Sequence, residues 1–166
     1  CMRDACEMGP AAALQLIQFG SVPKPVTGFE PLSSRRSELI SAATAMEAGG
    51  GSALYCAINA GLQQLQNRSR GEEEAATTGH APNLALVVMA RGVNSVGSGC
   101  SAVNEALLPR GFGPHETHIF TIGIGSETAP EASYLRELSR STRGKFFDIE
   151  KVESLDSIYY EISCEF

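Results

Sequence analysis

The chain reads as an α/β protein with a Rossmann-like, doubly wound, mostly parallel sheet flanked by helices, and three observations predict it. Residues 117–125, THIFTIGIG, form an apolar β-branched run closed by Gly123 and Gly125, the pattern of a central strand buried on both faces. Residues 83–90, NLALVVMA, form a second such run. Around these two, amphipathic helical stretches alternate with short strands, the order that produces a parallel sheet.

Taken in order, residues 11–19, AAALQLIQF, are expected to form a buried strand ending at Gly20. Residues 20–31 carry Pro23, Pro25 and Pro31 and are assigned to irregular or edge structure, because proline cannot donate to a central ladder. Ser33 or Ser34 is placed as the cap of a helix whose apolar face is Leu39, Ala43 and Met46, stopped at Gly49-Gly50-Gly51. A second helix carries Leu54, Ala57, Ile58, Gly61, Leu62 and Leu65 on one face. Residues 66–82 lack apolar periodicity, contain three consecutive glutamates, and are read as a polar solvated loop. Strand 83–90 is followed by a turn-like stretch, 92–99, and a short helix near 101–108. Beyond strand 117–125, the capping-box spacing of Thr128 and Glu131 starts a helix through about Ser141, ended by Gly144. A strand over 145–149 and a helix with Val152, Leu155, Ile158, Tyr159 and Ile162 facing inward complete the order.

At 166 residues the chain is one domain by length, large enough to bury a core. A net charge of −6 and an isoelectric point near 5.1 argue against a general nucleic-acid binder, which needs a basic face. No apolar run has the length that membrane insertion requires, and the short, polar N-terminus does not read as a signal peptide. Five cysteines (Cys1, Cys6, Cys56, Cys100, Cys164) form no C-x-x-C pair. That odd, widely spaced set favours buried or free thiols over a disulfide framework, with a lean toward a reducing, intracellular compartment. Asn67-Arg68-Ser69 is an N-glycosylation triplet, a pattern common enough by chance to carry little weight. A chain opening on Cys rather than Met is expected to be a piece of a longer protein.

The succession LQLIQFG, FEPL, GGGSALYCAI, LALVVMARGVNS, IFTIGIG, LRELSRSTRGKFFDI and LDSIYYEI resembles the von Willebrand factor type A domain over about residues 11–163. The resemblance implies a metal-ion-dependent adhesion site at the carboxyl edge of the sheet. Such a site uses a D-x-S-x-S loop after the first strand, a Thr from a GGT-like loop and an Asp from a T-D-G loop. A ligand carboxylate completes the shell of the divalent cation. By that correspondence Ser52, in Gly50-Gly51-Ser52, takes the Thr position, and Arg91, in Ala90-Arg91-Gly92, takes that of the Asp. No D-x-S-x-S occurs here; the nearby acids, Asp4 and Glu7, have no strand or serines around them. The first central strand is therefore expected to lie upstream of Cys1, with residues 1–9 a remnant of an upstream helix and 10–166 the domain. Its loss should expose apolar edges.

Magnesium requires an oxygen-rich shell with carboxylates close by, and a guanidinium there adds charge without a donor oxygen. Arg91 has two readings: it grips an acidic side chain of a partner by a bidentate pair, or it decorates a decayed site, the reading preferred here. The expected ligand-binding residues are Gly51, Ser52, Arg91, Gly92, Asn94 and Ser126. Ser52 is the one metal candidate, conditional on an upstream D-x-S-x-S. Gly97–Ala102 fits G-x-G-x-x-A but sits some six residues beyond its strand, which favours a flexible turn. Gly49–Ser52 could cradle a phosphate at a helix N-terminus, yet lacks a P-loop lysine and reads better as a capping turn. His115 and His118 fall on opposite faces of a strand and are read as exposed, and of Tyr159 and Tyr160 one ring is assigned to the core. No catalytic residue and no resident cofactor are expected, magnesium being the one candidate. The expected function is a non-enzymatic adhesion or scaffold-type module that binds another protein through loops 20–31, 49–53, 91–99 and 125–130. Its metal dependence is expected to be absent or weak. The alternative is a Rossmann-like nucleotide-binding subunit or enzyme; a scaffold that has lost binding is a third.

Overall fold

The computed structural model describes residues 12–47, 49–75 (backbone alone at 70–75), 83–91, 94–95, 102–104, 108, 117–125, 131–150 and 154–165. Seven strands and four helices are defined among them: β1 (Ala13–Leu14), β2 (Ile17–Phe19), β3 (Pro23–Pro25), β4 (Glu30–Pro31), α1 (Leu32–Thr44), α2 (Leu54–Ala75), β5 (Leu84–Ala90), β6 (Thr117–Ile124), α3 (Ala132–Ser141), β7 (Phe146–Ile149) and α4 (Leu155–Ser163). The central sheet is parallel, in the order β5-β6-β7. Leu84 is opposite Thr117 and Ala90 opposite Gly123, while Thr121 is opposite Phe146 and Ile124 opposite Ile149.

Alternation along β6 explains why its sequence is apolar throughout. Ile119 joins Leu54, Ile58, Leu62, Val88, Leu135 and Leu138 in a core under α2 and α3. Phe120 and Ile122 point the other way, into a second core with Phe147, Ile149, Ile158 and Ile162 of β7 and α4. Helices thus cover both faces, as the doubly wound reading requires. On β5 the second face is left open: Val87 and Met89 are 37% and 42% exposed. Thr121 on β6 is fully buried and shares a 2.7 Å hydrogen bond with Ser139 on α3, also reaching the Leu135 carbonyl.

Several expectations are corrected. Residues 11–19 do not form one buried strand. The chain breaks at Gln15 and Leu16, whose polar groups are drawn to Thr27: Leu16 N–H donates to Thr27 Oγ1 at 3.0 Å and Gln15 Nε2 to the Thr27 carbonyl at 3.2 Å. The two halves, β1 and β2, form separate antiparallel pairs with β4 and β3. None of these strands is fully buried, and so the prolines of β3 and β4 are tolerated. Helix α1 begins at Leu32 with Pro31 at its cap and no serine cap bond. Of its expected apolar face only Leu39 is buried, and Ala43 is exposed.

The polar loop assigned to 66–82 is helix as far as Ala75; residues 76–82 lie outside the described residues. The Gln, Arg and Glu residues that erase apolar periodicity there are good helix formers, so α2 propagates beyond its packed face. Residues 102–104 are not helical, and the rest of the helix expected near 101–108 lies almost wholly outside the described residues, as do residues 1–9, Thr128, Val152 and His115. Tyr159 and Tyr160 are both exposed, at 45% and 54%, because Ile158 and Ile162 alone occupy the buried stripe of α4. His118 is half-buried, stacked on Phe120 at 6.4 Å between ring centroids, rather than exposed. The end of α3 depends on two residues. Arg143 takes the left-handed conformation (φ 55°), and the Gly144 N–H closes the turn onto the Ser139 carbonyl at 2.9 Å. Gly144 is required by proximity, since a Cβ there would lie 1.9 Å from the Ile119 carbonyl oxygen.

The cysteines also depart from expectation. Cys164 is free and exposed, but Cys56, buried in the first turn of α2, is disulfide-bonded. Sequence separation says nothing about distance once the chain is folded, and the basis for a reducing compartment is removed.

Candidate functional site

β5 ends at Ala90, level with Gly123 of β6, and Arg91 follows it into solvent. The guanidinium is exposed and makes no ion pair with any described residue. Past it the chain returns to the start of α2. The Asn94 side-chain oxygen accepts the Tyr55 N–H at 3.4 Å. Ser95 and Ser52 bond reciprocally: Ser52 N–H donates to Ser95 Oγ at 2.9 Å and Ser95 N–H to the Ser52 carbonyl at 3.0 Å. These are tertiary caps, with the donors at a helix start satisfied by a loop some forty residues away instead of by a local side chain.

The opposite flank of the 49–53 turn is held by the β2–β3 hairpin. Ala53 N–H donates to the Gly20 carbonyl at 2.7 Å and Gly51 N–H to Ser21 Oγ at 3.1 Å. The Gln18 side-chain amide donates to the Glu47 carbonyl. Contact is so close that a Cβ on Gly20 would sit 2.6 Å from the Gly49 carbonyl oxygen. Gly50 turns the chain with φ 75°. Of the four loops assigned to the binding edge, the first at residues 20–21, the second (49–53) and the third at residues 94–95 are therefore joined through described hydrogen bonds. Of the fourth, only Gly125 is described; its N–H donates to the Ile149 carbonyl at 2.8 Å.

Of the residues singled out from sequence, Gly51, Ser52 and Asn94 are brought together, and Arg91 lies on the same loop as Asn94. Gly92 and Ser126 lie outside the described residues. Sequence reasoning missed Ser21, Ser95 and Tyr55. A lone serine in a turn gives no signal when its partner is another turn far along the chain. Tyr55 packs edge-to-face on Tyr134, ring centroids 5.4 Å apart. Burial, and secondarily the negative charge of Glu131, pushes its phenol up from the ordinary value of 10.0. A carboxylate oxygen of Glu131 is itself buried without a hydrogen-bond partner among the described residues.

Two chemical consequences follow. The N–H groups of Gly51, Ser52, Ala53 and Tyr55 are already committed to protein acceptors, so the start of α2 is a capped turn rather than a phosphate cradle. Among the described residues, Ser52 is hydrogen-bonded to Ser95, whose loop also carries the Asn94 amide, already an acceptor, and the Arg91 guanidinium. Among the described residues this set holds none of the carboxylates that magnesium asks for, and no cluster of three or more His, Cys, Asp or Glu side chains exists among them.

The family model described as von Willebrand factor type A domain matches residues 7–161. Among solved structures, the chain is similar to von Willebrand factor type A from Catenulispora acidiphila, with a TM-score of 0.64 and 14% identity, over 94% of this chain and 34% of that one. It spans about a third of that chain's length, and at this identity the likeness shows the fold alone. An uncharacterized membrane spanning protein from Vibrio fischeri aligns at a TM-score of 0.38 and 16% identity, over 92% of this chain and 76% of that one, a similarity too low to carry an argument. No curated protein matches the chain.

Proposed function

Because this chain belongs to the von Willebrand factor type A family, whose domains typically mediate protein–protein interaction, we propose that it is a non-enzymatic module binding a partner protein at the carboxyl edge of its parallel sheet. Arg91 meets an acidic side chain of that partner, and binding needs no divalent cation. The reading is supported most by one observation: turns 20–21, 49–53 and 94–95 are hydrogen-bonded into a single platform, and on the same loop stands an exposed guanidinium with no ion pair among the described residues. A preformed surface loses little entropy on binding, and an Arg fork matches a carboxylate bidentately.

The test has two arms. Partners captured from an extract on the wild-type domain are compared with those on Arg91→Glu, with and without EDTA. Loss of a specific partner in the variant, and indifference to EDTA, support the reading. Retention by the variant removes the role of Arg91, and loss of capture in EDTA with recovery in magnesium removes the metal independence. Thermal unfolding with nucleotides and NAD(P) tests the enzyme or nucleotide-binding alternative, which predicts stabilisation.

A further inference from the structure

Asn67-Arg68-Ser69 is the one N-x-S/T triplet in the chain, and in sequence alone it carries little. The fold adds two observations. Asn67 lies inside α2 with its side chain exposed, and Cys56 of the same helix is disulfide-bonded. We propose that Asn67 is an attachment site for an N-linked oligosaccharide.

The faces of α2 give Asn67 the room it needs. Leu54, Ile58, Leu62 and Leu65 are buried, whereas Gln63 and Asn67, four residues apart, are both exposed and share the solvent side. The two asparagines of the helix are used differently. Asn59 commits its amide to the chain, Nδ2 donating to the Ala102 carbonyl at 3.3 Å and Oδ1 accepting the Asn104 N–H at 2.7 Å. At Asn67 the oxygen is engaged, accepting Gln63 Nε2 at 3.2 Å, while Nδ2, the atom that carries a sugar, makes no hydrogen bond among the described residues. A bulky, polar glycan requires such a surface position. Twelve residues separate Asn67 from Tyr55, about 18 Å along the helix, so the glycan is rooted away from the platform at 49–53 and 94–95.

Disulfides persist in oxidising compartments such as the lumen of the endoplasmic reticulum, where oligosaccharide transfer also takes place. A bonded Cys56 and an occupied Asn67 therefore call for the same environment. In the transfer, Nδ2 forms a bond to the anomeric carbon of an oligosaccharide held on a lipid pyrophosphate. The carbon–oxygen bond to the pyrophosphate breaks, the lipid pyrophosphate leaves with the electron pair, and the amide gives up one proton. Ser69 supplies the hydroxyl that the acceptor triplet requires, and Arg68 is not the proline that forbids transfer.

The test directs the full chain into the secretory pathway of cultured animal cells, with a second acceptor triplet in an appended tag to report entry. Two glycans, both removed by an N-glycan amidase, are the expected result. Mass spectrometry should then find aspartate at position 67 in the tryptic peptide 37–68, which holds no other acceptor triplet. Asn67→Gln and Ser69→Ala should each leave the tag glycan alone, and Ser69→Thr should keep both. Because Asn67 is exposed, Asn67→Gln should leave the unfolding midpoint unchanged, which separates loss of the acceptor from misfolding. A wild-type chain glycosylated on the tag alone overturns the proposal, as does a second glycan that survives Asn67→Gln. Peptide 37–68 found unmodified in the protein isolated from the cells that naturally make it overturns it as well.

Discussion

Thr121 and Ser139 place two fully buried hydroxyls between β6 and α3. Each satisfies the other, and Thr121 also reaches the Leu135 carbonyl. Replacing one partner strands the other in a medium where an unmade hydrogen bond costs about 1–3 kcal/mol. Thr121→Val should therefore lower the free energy of unfolding by that amount in urea titration. The double variant with Ser139→Ala should lose less than the sum of the two single changes. Additive losses would show that the hydroxyls act separately. Arg91 stands at the opposite extreme, exposed and without an ion pair among the described residues, so Arg91→Glu should leave stability within about 0.5 kcal/mol of wild type. That makes it a clean probe of binding.

At the level of elements, α2 and α1 contribute very differently although both are amphipathic in sequence. Leu54, Ile58 and Leu62 on α2 are almost wholly buried against the parallel sheet, whereas α1 buries Leu39 alone and leaves Ile40 57% exposed. Leu62→Ala should cost about 2–5 kcal/mol, while Ile40→Ala should be nearly neutral by the same denaturation measurement. Asn94→Ala should cost about 1 kcal/mol, because it removes a cap of α2 from across the fold. Hydrogen exchange would report that loss as faster exchange of the Tyr55 amide, and unchanged exchange there would refute the capping role. α2 was legible in its packed half from apolar spacing. Its polar continuation to Ala75 was not, because periodicity registers packing and is silent where a helix runs on by propensity alone.

For the whole molecule, the parallel sheet of the described residues ends at β5, which hydrogen-bonds β6 and carries exposed Val87 and Met89 on its uncovered face. An apolar edge strand of this kind templates pairing with other chains. The domain should self-associate with rising concentration in sedimentation experiments, and Val87→Lys should suppress this with little change in stability; a monomer at all concentrations would contradict the prediction. The strands β5, β6 and β7, the buried character of β6 and the family were determined by the sequence alone, because strand periodicity is local and a run such as THIFTIGIG has few ways to satisfy itself. Which turns meet was decided only by the tertiary structure. Ser52 and Ser95, Tyr55 and Asn94, Asn59 and Asn104 find each other because β5 and α2 pack side by side. A hydrogen bond between segments forty residues apart leaves no trace in the spacing of either.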